Sequence, residues 1–172
     1  SKDPKIGKTF PKEGFANGEF EVQFSEENPE KLVLHYGNDE SGLSEANANL
    51  DECSTMRGKY YCSVNVNLEN YNEEEIEYWF ELEDISGKIG NSKPVTLSVD
   101  TKDPVLLNPN DFWMQGEGRS NKNIYFDLEI DETNFDNVVY VDNEDSGGRE
   151  SKICSKLKDN KCMKKISFKS GH

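Results

Sequence analysis

Apolar and polar residues alternate over most of this chain, and the spacing of three or four residues that is typical of helices is scarce. Turn-forming residues such as Asn28-Pro29 and Gly90-Asn91 separate the alternating runs. Each run would place one face on a core and the other in water, as a strand of an antiparallel sandwich does. The clearest runs are residues 20–24, 32–36, 62–68, 76–82 and 95–99.

A near-repeat of about one hundred positions divides the chain in two. Ser1-Lys2-Asp3-Pro4 returns as Thr101-Lys102-Asp103-Pro104, and a local pair of cysteines returns at nearly the same offset. This period is the size of one small β domain. The sequence therefore predicts an all-β fold with two tandem sandwiches, residues 1–100 and residues 101–172.

The second copy follows the plan of the first only in part. Ile166 and Phe168 match Val64 and Val66, but nothing corresponds to residues 75–99. We therefore expect the second sandwich to lack its last strands and to have an open edge. A domain boundary placed too early, proteolysis, a shorter fold and strands supplied by another chain all remain open as explanations. The sequence is expected to be a piece of a longer protein.

The charge of the chain limits its partners. The net charge is −14, and residues 1–100 carry 9 Lys and Arg against 21 Asp and Glu, whereas residues 101–172 carry 11 against 13. Such acidity disfavours nucleic acids and anionic membrane surfaces, both of which attract basic patches. No apolar run approaches the roughly 18 residues that span a bilayer, so no membrane span is expected within this chain.

The four cysteines form two local pairs, Cys53 with Cys62 and Cys154 with Cys162, one pair in each repeat. This even placement predicts two disulfides and an extracellular or cell-surface location. A closed loop of about 10 residues contributes roughly 2.5–3 kcal/mol on the chain-entropy model. Zinc binding and free buried thiols are the competing interpretations, and zinc is disfavoured because His35 is the only internal histidine.

Residues 78–104 resemble the immunoglobulin-like repeats of bacterial and archaeal surface proteins. The resemblance rests on a strand that ends in Asp84-Ile85-Ser86-Gly87, on the Gly90-Asn91 turn, and on a strand from Ser92 to Val99 that is followed by Asp100-Thr101-Lys102-Asp103-Pro104. It implies immunoglobulin-like β-sandwiches of the kind found in adhesins, surface-layer proteins and stalks of secreted enzymes. The short cysteine spacings depart from antibody domains, whose disulfide joins two sheets, and predict instead that each pair closes a hairpin or loop.

Two acidic loops are candidate metal sites. Asp39 and Glu40 lie in one loop, and Asp142, Glu144 and Asp145 lie at the same place in the second copy. Carboxylate oxygens are the ligands that Ca²⁺ takes, although neither loop has EF-hand spacing. An ordinary solvated turn is the alternative, and no other cofactor is expected.

Three further features are candidate contacts. Trp79 falls on the polar side of its strand, where it could anchor a protein partner or stack on a sugar, or pack on a neighbouring strand. Residues 112–114 (Phe-Trp-Met) are expected to insert into the core or the seam between repeats. The basic tail after Ser146 could dock on an acidic surface, including that of another copy, or remain a solvated hairpin.

No nucleophile has a visible base, and no phosphate-binding loop occurs, so an enzyme is not expected. The leading hypothesis is a non-catalytic stalk or adhesion module that belongs to a larger surface or secreted protein. The alternatives are a module that binds glycan, protein or calcium, and an assembly subunit that self-associates through its incomplete second domain.

Overall fold

The fold is given by a computed structural model that describes residues 3–118, 122–143 and 148–168. The described residues form antiparallel β-sheets with turns and two short 3₁₀ segments, which confirms the predicted all-β class. The chain divides into two compact units, Ser1–Thr101 and Lys102–His172.

The first unit consists of two sheets. One sheet has the strand order β1-β3-β7-β6; the other has the order β2-β10-β8-β4-β5, with β9 paired to β8. Every pairing is antiparallel except the short parallel contact of β2 with β10. The strands are β1 (Lys5–Phe10), β2 (Phe15–Ala16), β3 (Glu19–Ser25), β4 (Pro29–Asn38), β5 (Gly42–Asn47), β6 (Ser54–Met56), β7 (Lys59–Asn65), β8 (Glu75–Asp84), β9 (Ile89–Asn91) and β10 (Val95–Val99), and the 3₁₀ segments are Leu50–Glu52 and Glu69–Tyr71.

Alternating side chains from both sheets form the core of the first unit. In β3, Phe20, Val22 and Phe24 are buried while Glu19 and Glu21 are exposed. Because full burial of one large apolar side chain contributes about 1.5–3 kcal/mol, these alternating runs supply most of the driving force for this unit. The buried core comprises Ala16, Phe20, Val22, Phe24, Leu32, Leu34, Tyr36, Cys62, Val64, Leu68, Tyr71, Ile76, Tyr78, Phe80, Leu82, Leu97 and Val99.

The second unit has a smaller set of strands. Its central strand, β13, pairs with β16 along most of its length and with β12 and β11 towards its two ends, while β14 and β15 form a separate antiparallel pair. Its buried core is Leu128, Ile130, Ile153 and Cys162. The strands are β11 (Val105–Leu106), β12 (Trp113–Gln115), β13 (Asn123–Asp131), β14 (Val138–Val141), β15 (Glu150–Cys154) and β16 (Lys161–Ser167).

Two expectations for the second unit need correction. Phe112 packs on the small core, but Trp113 is 51% exposed and Met114 is exposed as well, so residues 112–114 are not inserted as a block. Cys162 lies opposite Leu128 in β13, just as Cys62 lies opposite Val22 in β3. Lys164, rather than Ile166, therefore occupies the position that corresponds to Val64, because the cysteines fix the register.

Both predicted disulfides are present. Cys53 is bonded to Cys62 in the first unit and Cys154 to Cys162 in the second. Cys62 and Cys162 are buried on the inner faces of β7 and β16, so each disulfide ties a neighbouring segment to the core. An oxidising environment is where such bonds form and persist.

Within the described ranges, none of the helical segments has the length and apolar character required to cross a bilayer.

Candidate functional site

The outer face of the larger sheet in the first unit carries a row of three facing side chains. Alternation along β8 places Tyr78 and Phe80 in the core and Trp79 on the opposite face. Across the neighbouring strands, His35 of β4 is directly opposite Trp79, and Glu45 of β5 is directly opposite His35. The strand registers therefore bring His35 and Glu45 next to Trp79, although they lie 44 and 34 positions before it in the sequence.

His35 and Trp79 form a stacked aromatic pair. Their ring centroids are 5.0 Å apart and the ring planes are inclined by 9°. Such a pair contributes roughly 0.5–1.5 kcal/mol beyond the burial of its area. The stack covers most of the imidazole, whose side chain is 16% exposed, and leaves the indole partly exposed. The stack holds the indole in one orientation, with one of its faces against the imidazole.

Carboxylates flank this pair on both sides. The Nδ1 atom of His35 lies 3.3 Å from a Glu45 oxygen, and its Nε2 atom lies 3.8 Å from a Glu81 oxygen. The Nε2 atom is buried without a hydrogen-bond partner among the described residues. Glu45 is largely exposed and Glu81 is about one-third exposed, so both retain oxygens that can accept hydrogen bonds from a ligand.

The base of this surface is apolar. Val33 is 3% exposed although its neighbours Leu32 and Leu34 point into the core, which puts Val33 on the outer face beside His35. It lies opposite Glu81 and Asn47 in the adjacent strands. We call the surface made by Val33, His35, Trp79, Glu45 and Glu81 the Trp79 face.

Alternation along β8 predicts that Trp79 points outward, but it does not predict the contact with His35. The polar-side position of each residue is visible in its own strand. Their contact depends on the pairing of β4 with β8 and on its register, which one sequence does not provide.

The predicted acidic loop of the first unit is a hydrogen-bonded turn between β4 and β5. Asn38 Oδ1 accepts hydrogen bonds from the backbone N–H groups of Glu40 and Ser41, and Asn38 Nδ2 donates to Glu74 at 2.7 Å. The amide oxygen is therefore already used by the turn, while Asp39 and Glu40 are exposed.

The corresponding loop of the second unit is described only in part. Asp142 follows β14, and Glu144 and Asp145 lie outside the described residues. In the portion that the structure describes, no three His, Cys, Asp or Glu side chains are grouped as a metal site requires.

An open cleft of about 1130 Å³ occurs elsewhere in the first unit, and neither His35 nor Trp79 lines it. Two of the carboxylates that line it already accept hydrogen bonds from nearby backbone N–H groups. Asp84 is buried and accepts hydrogen bonds from Ser86 and from the Lys88 N–H, and Glu26 accepts from the N–H groups of the two residues that follow it. These groups stabilise turns rather than present free ligands.

The basic segment of the second unit forms β15 and β16. Lys161 is paired with Glu129 at 2.5 Å, and this hydrogen bond, with the nearby charge of Asp127, raises the pKa of the Lys161 ammonium. Lys165 lies over the Tyr125 ring. Lys164 is exposed, lies on the same side of β16 as the buried Cys162, and donates a hydrogen bond from Nζ to the backbone carbonyl of Lys152 at 3.4 Å.

Comparison with known proteins gives no family. No family model matches the chain, and no curated protein matches it significantly. Among solved structures, it is similar to a family 76 glycoside hydrolase from a bovine Bacteroides thetaiotaomicron strain (20% identity over 57% of this chain and 20% of that chain, TM-score 0.37). It is also similar to the cycloalternan-degrading enzyme from Trueperella pyogenes in complex with isomaltose (9% identity, 67% of this chain and 16% of that chain, TM-score 0.32). A third similarity is to the titin domains z1z2 in complex with telethonin (15% identity, 97% of this chain and 82% of that chain, TM-score 0.32).

These similarities correct one expectation from the sequence. The expectation that the chain is not an enzyme is wrong as a firm statement, because a glycoside hydrolase and a cycloalternan-degrading enzyme are among the matching structures. The chain spans about a fifth or less of the length of those enzymes, and the similarity assigns no activity to it.

Proposed function

We propose that this chain is an adhesion module of a larger secreted or cell-surface protein of bacterial or archaeal type. In this proposal it consists of tandem immunoglobulin-like sandwiches and binds neutral glycans through the Trp79 face. The observation that carries the proposal is the stacked His35–Trp79 pair between the carboxylates of Glu45 and Glu81.

The tandem arrangement is supported by the matching positions of the cysteines. In each unit one cysteine of the local disulfide lies in the strand that pairs with the central strand. Cys62 lies in β7, which pairs with β3, and Cys162 lies in β16, which pairs with β13. The disulfides also favour an extracellular location, since thiols stay reduced in the cytosol.

The chemistry of the Trp79 face favours a neutral sugar. An indole ring offers an apolar surface to the C–H face of a pyranose, and the flanking carboxylates can accept hydrogen bonds from hydroxyl groups. Acidic glycans would place like charges next to Glu45 and Glu81, which is unfavourable.

The test is binding of the full chain to an array of neutral and acidic glycans. We expect neutral glycans to bind, and Trp79→Ala to weaken that binding by about 30-fold, because truncation of a central aromatic costs about 2 kcal/mol or more. Trp113→Ala is the matched control, since it removes an exposed tryptophan from the other unit.

Equal binding by wild type and Trp79→Ala would refute the role of this face. Binding only to acidic glycans, or to none, would refute the proposed ligand class.

A further inference from the structure

The turn between β2 and β3 contains the one Asn-Gly pair of the sequence, Asn17-Gly18. Asn17 is exposed, and its Oδ1 atom accepts a hydrogen bond from the backbone N–H of Glu19 at 3.0 Å. Among the described residues, the Asn17 Nδ2 atom and the Gly18 N–H form no hydrogen bond. The side-chain amide of Asn17 is therefore held through its oxygen, and the nitrogen of the next residue has no partner.

This arrangement suits attack of the Gly18 nitrogen on the Asn17 side chain. The nitrogen adds to Cγ, negative charge develops on Oδ1, and the C–Nδ2 bond breaks to close a five-membered succinimide ring. The Gly18 N–H proton ends, through water, on the departing ammonia. The Glu19 N–H stabilises the charge on Oδ1 as an oxyanion donor does. Because Gly18 has no Cβ, no side chain shields its nitrogen.

Water then opens the ring at one of its two carbonyl carbons. Addition at Cγ breaks the bond from Cγ to the Gly18 nitrogen and leaves aspartate in an ordinary main chain. Addition at the main-chain carbonyl carbon breaks the other bond to that nitrogen and leaves isoaspartate, whose main chain runs through Cβ and Cγ. Water is the one reagent consumed, and each product carries one more negative charge than asparagine.

Two other asparagines share part of this arrangement. Asn67 is exposed and its Oδ1 accepts from the N–H two residues later at 2.8 Å, but the next residue, Leu68, carries a buried side chain. Asn38 uses its Oδ1 in the same way, but its Nδ2 donates to Glu74 at 2.7 Å, which holds the group that has to leave. Of these three, Asn17 combines the oxyanion donor with an unrestrained leaving group and a following glycine.

The surroundings of Gly18 distinguish the two products. The Gly18 C=O accepts a hydrogen bond from the Val66 N–H at 2.8 Å, and a Cβ added to Gly18 would lie 2.3 Å from the Val66 oxygen. Isoaspartate adds one carbon to the main chain and therefore displaces Gly18 from this close contact. Aspartate leaves the main chain unchanged and retains the acceptor for the Glu19 N–H. The isoaspartate form should therefore lose the bond to Val66, which packs against the core.

We propose that Asn17-Gly18 is a self-modification site, at which the Gly18 nitrogen displaces ammonia from the Asn17 side chain and water opens the resulting ring. The change runs one way and adds a negative charge to the first unit. Its isoaspartate product also releases the β2–β3 turn from Val66.

The test is peptide mapping by mass spectrometry of the full chain during incubation at mildly alkaline pH, with aspartate and isoaspartate products separated. We expect Asn17 to react at least about tenfold faster than Asn67 and Asn38, and no more than about tenfold slower than the same pair in a capped peptide of residues 13–22. Asn17→Gln should abolish the product at this position and leave the others unchanged. Equal rates at the three asparagines, or an Asn17 that reacts more than about tenfold slower than the peptide, would overturn the proposal.

Amide exchange of the isolated products tests the structural consequence. We expect the isoaspartate form to lose protection at the Val66 amide by about tenfold or more. Asn17→Asp is the matched control, since it makes the same charge change in an ordinary main chain, and should keep this protection within about twofold. Equal protection of Val66 in the two forms would contradict the part assigned to the Gly18 contact.

Discussion

At the scale of single residues, Tyr78 couples the stability of the first unit to pH. Its ring is fully buried against Phe20 and Phe80, and its hydroxyl donates a hydrogen bond to the Pro11 carbonyl at 2.6 Å. Burial raises the pKa of the phenol above its usual value of 10.0, and a smaller effect from the Thr9 hydrogen bond lowers it. The folded state therefore favours the neutral phenol.

This shift predicts a loss of stability at alkaline pH. The contribution of the neutral Tyr78 phenol to the free energy of unfolding is fully present below the pKa of the unfolded state, about 10. This contribution is lost as pH rises through the higher pKa of the folded state. Urea unfolding between pH 7 and pH 11 would measure it. We expect Tyr78→Phe to lose about 1 kcal/mol at pH 7 with the hydrogen bond and to show a shallower alkaline decline. Tyr61→Phe, in the partly exposed part of β7, is the control; an unchanged alkaline slope in Tyr78→Phe would contradict this assignment.

Gly18 is a second residue on which the first unit depends. Its φ of +95° is one that other residues rarely adopt, and an added Cβ would lie 2.3 Å from the backbone oxygen of Val66. We expect Gly18→Ala to reduce the free energy of unfolding by roughly 2 kcal/mol or more. Gly14→Ala has a similar φ of +86° but open space around the Cβ, and should cost roughly 1 kcal/mol. Equal losses in the two variants, measured by urea unfolding, would show that the close approach to Val66 has no effect.

The sequence predicts the candidate site only as far as single strands allow. The outward position of Trp79 follows from the alternation in β8. The contact with His35 does not follow, because it depends on which strands pair and in what register. The burial of Val33 on an outer face is also invisible, since it depends on side chains that neighbouring strands contribute.

At the scale of elements, the long alternating strands are the predictable part of the fold. β3, β4, β8 and β10 cover the predicted runs, because alternation with one buried face is a strong signal. β7 ends at Asn65, whereas the predicted run continues to Leu68, which is buried at the start of a 3₁₀ segment. The short strands β2, β6 and β9 have too few residues to show a period.

The two disulfides close loops of nearly equal length but support different cores. Removing the bond between Cys53 and Cys62 with a double alanine substitution should cost roughly 2.5–3 kcal/mol and leave the first unit folded. The same double substitution at Cys154 and Cys162 should unfold the second unit at 25 °C, because among its described residues only four buried side chains form the core. Two-dimensional NMR spectra of each variant would show which set of amide signals collapses. Loss of the first unit's signals with retention of the second's would contradict this ranking.

At the scale of the whole molecule, the described strands of the two units cover their cores to different extents although the two sequences look alike. The first unit encloses its core between two sheets, whereas in the second the described strands leave aromatic and basic side chains exposed on the inner face. The repeat in the sequence predicts similar strands. It does not predict how fully the described strands cover each core, since that depends on contacts that the sequence pattern does not contain.

In the first unit β4 is paired on both sides, whereas among the described residues of the second unit β14 is paired only with β15. Residue-resolved amide hydrogen exchange of the full chain tests this difference most directly. We predict strong protection throughout Leu32–Tyr36 of β4, and in β14 an alternating pattern in which only the amides bonded to β15 are protected. Uniform protection of Val138–Val141 at the level of β4 would mean that the second edge is already covered, and would contradict the account.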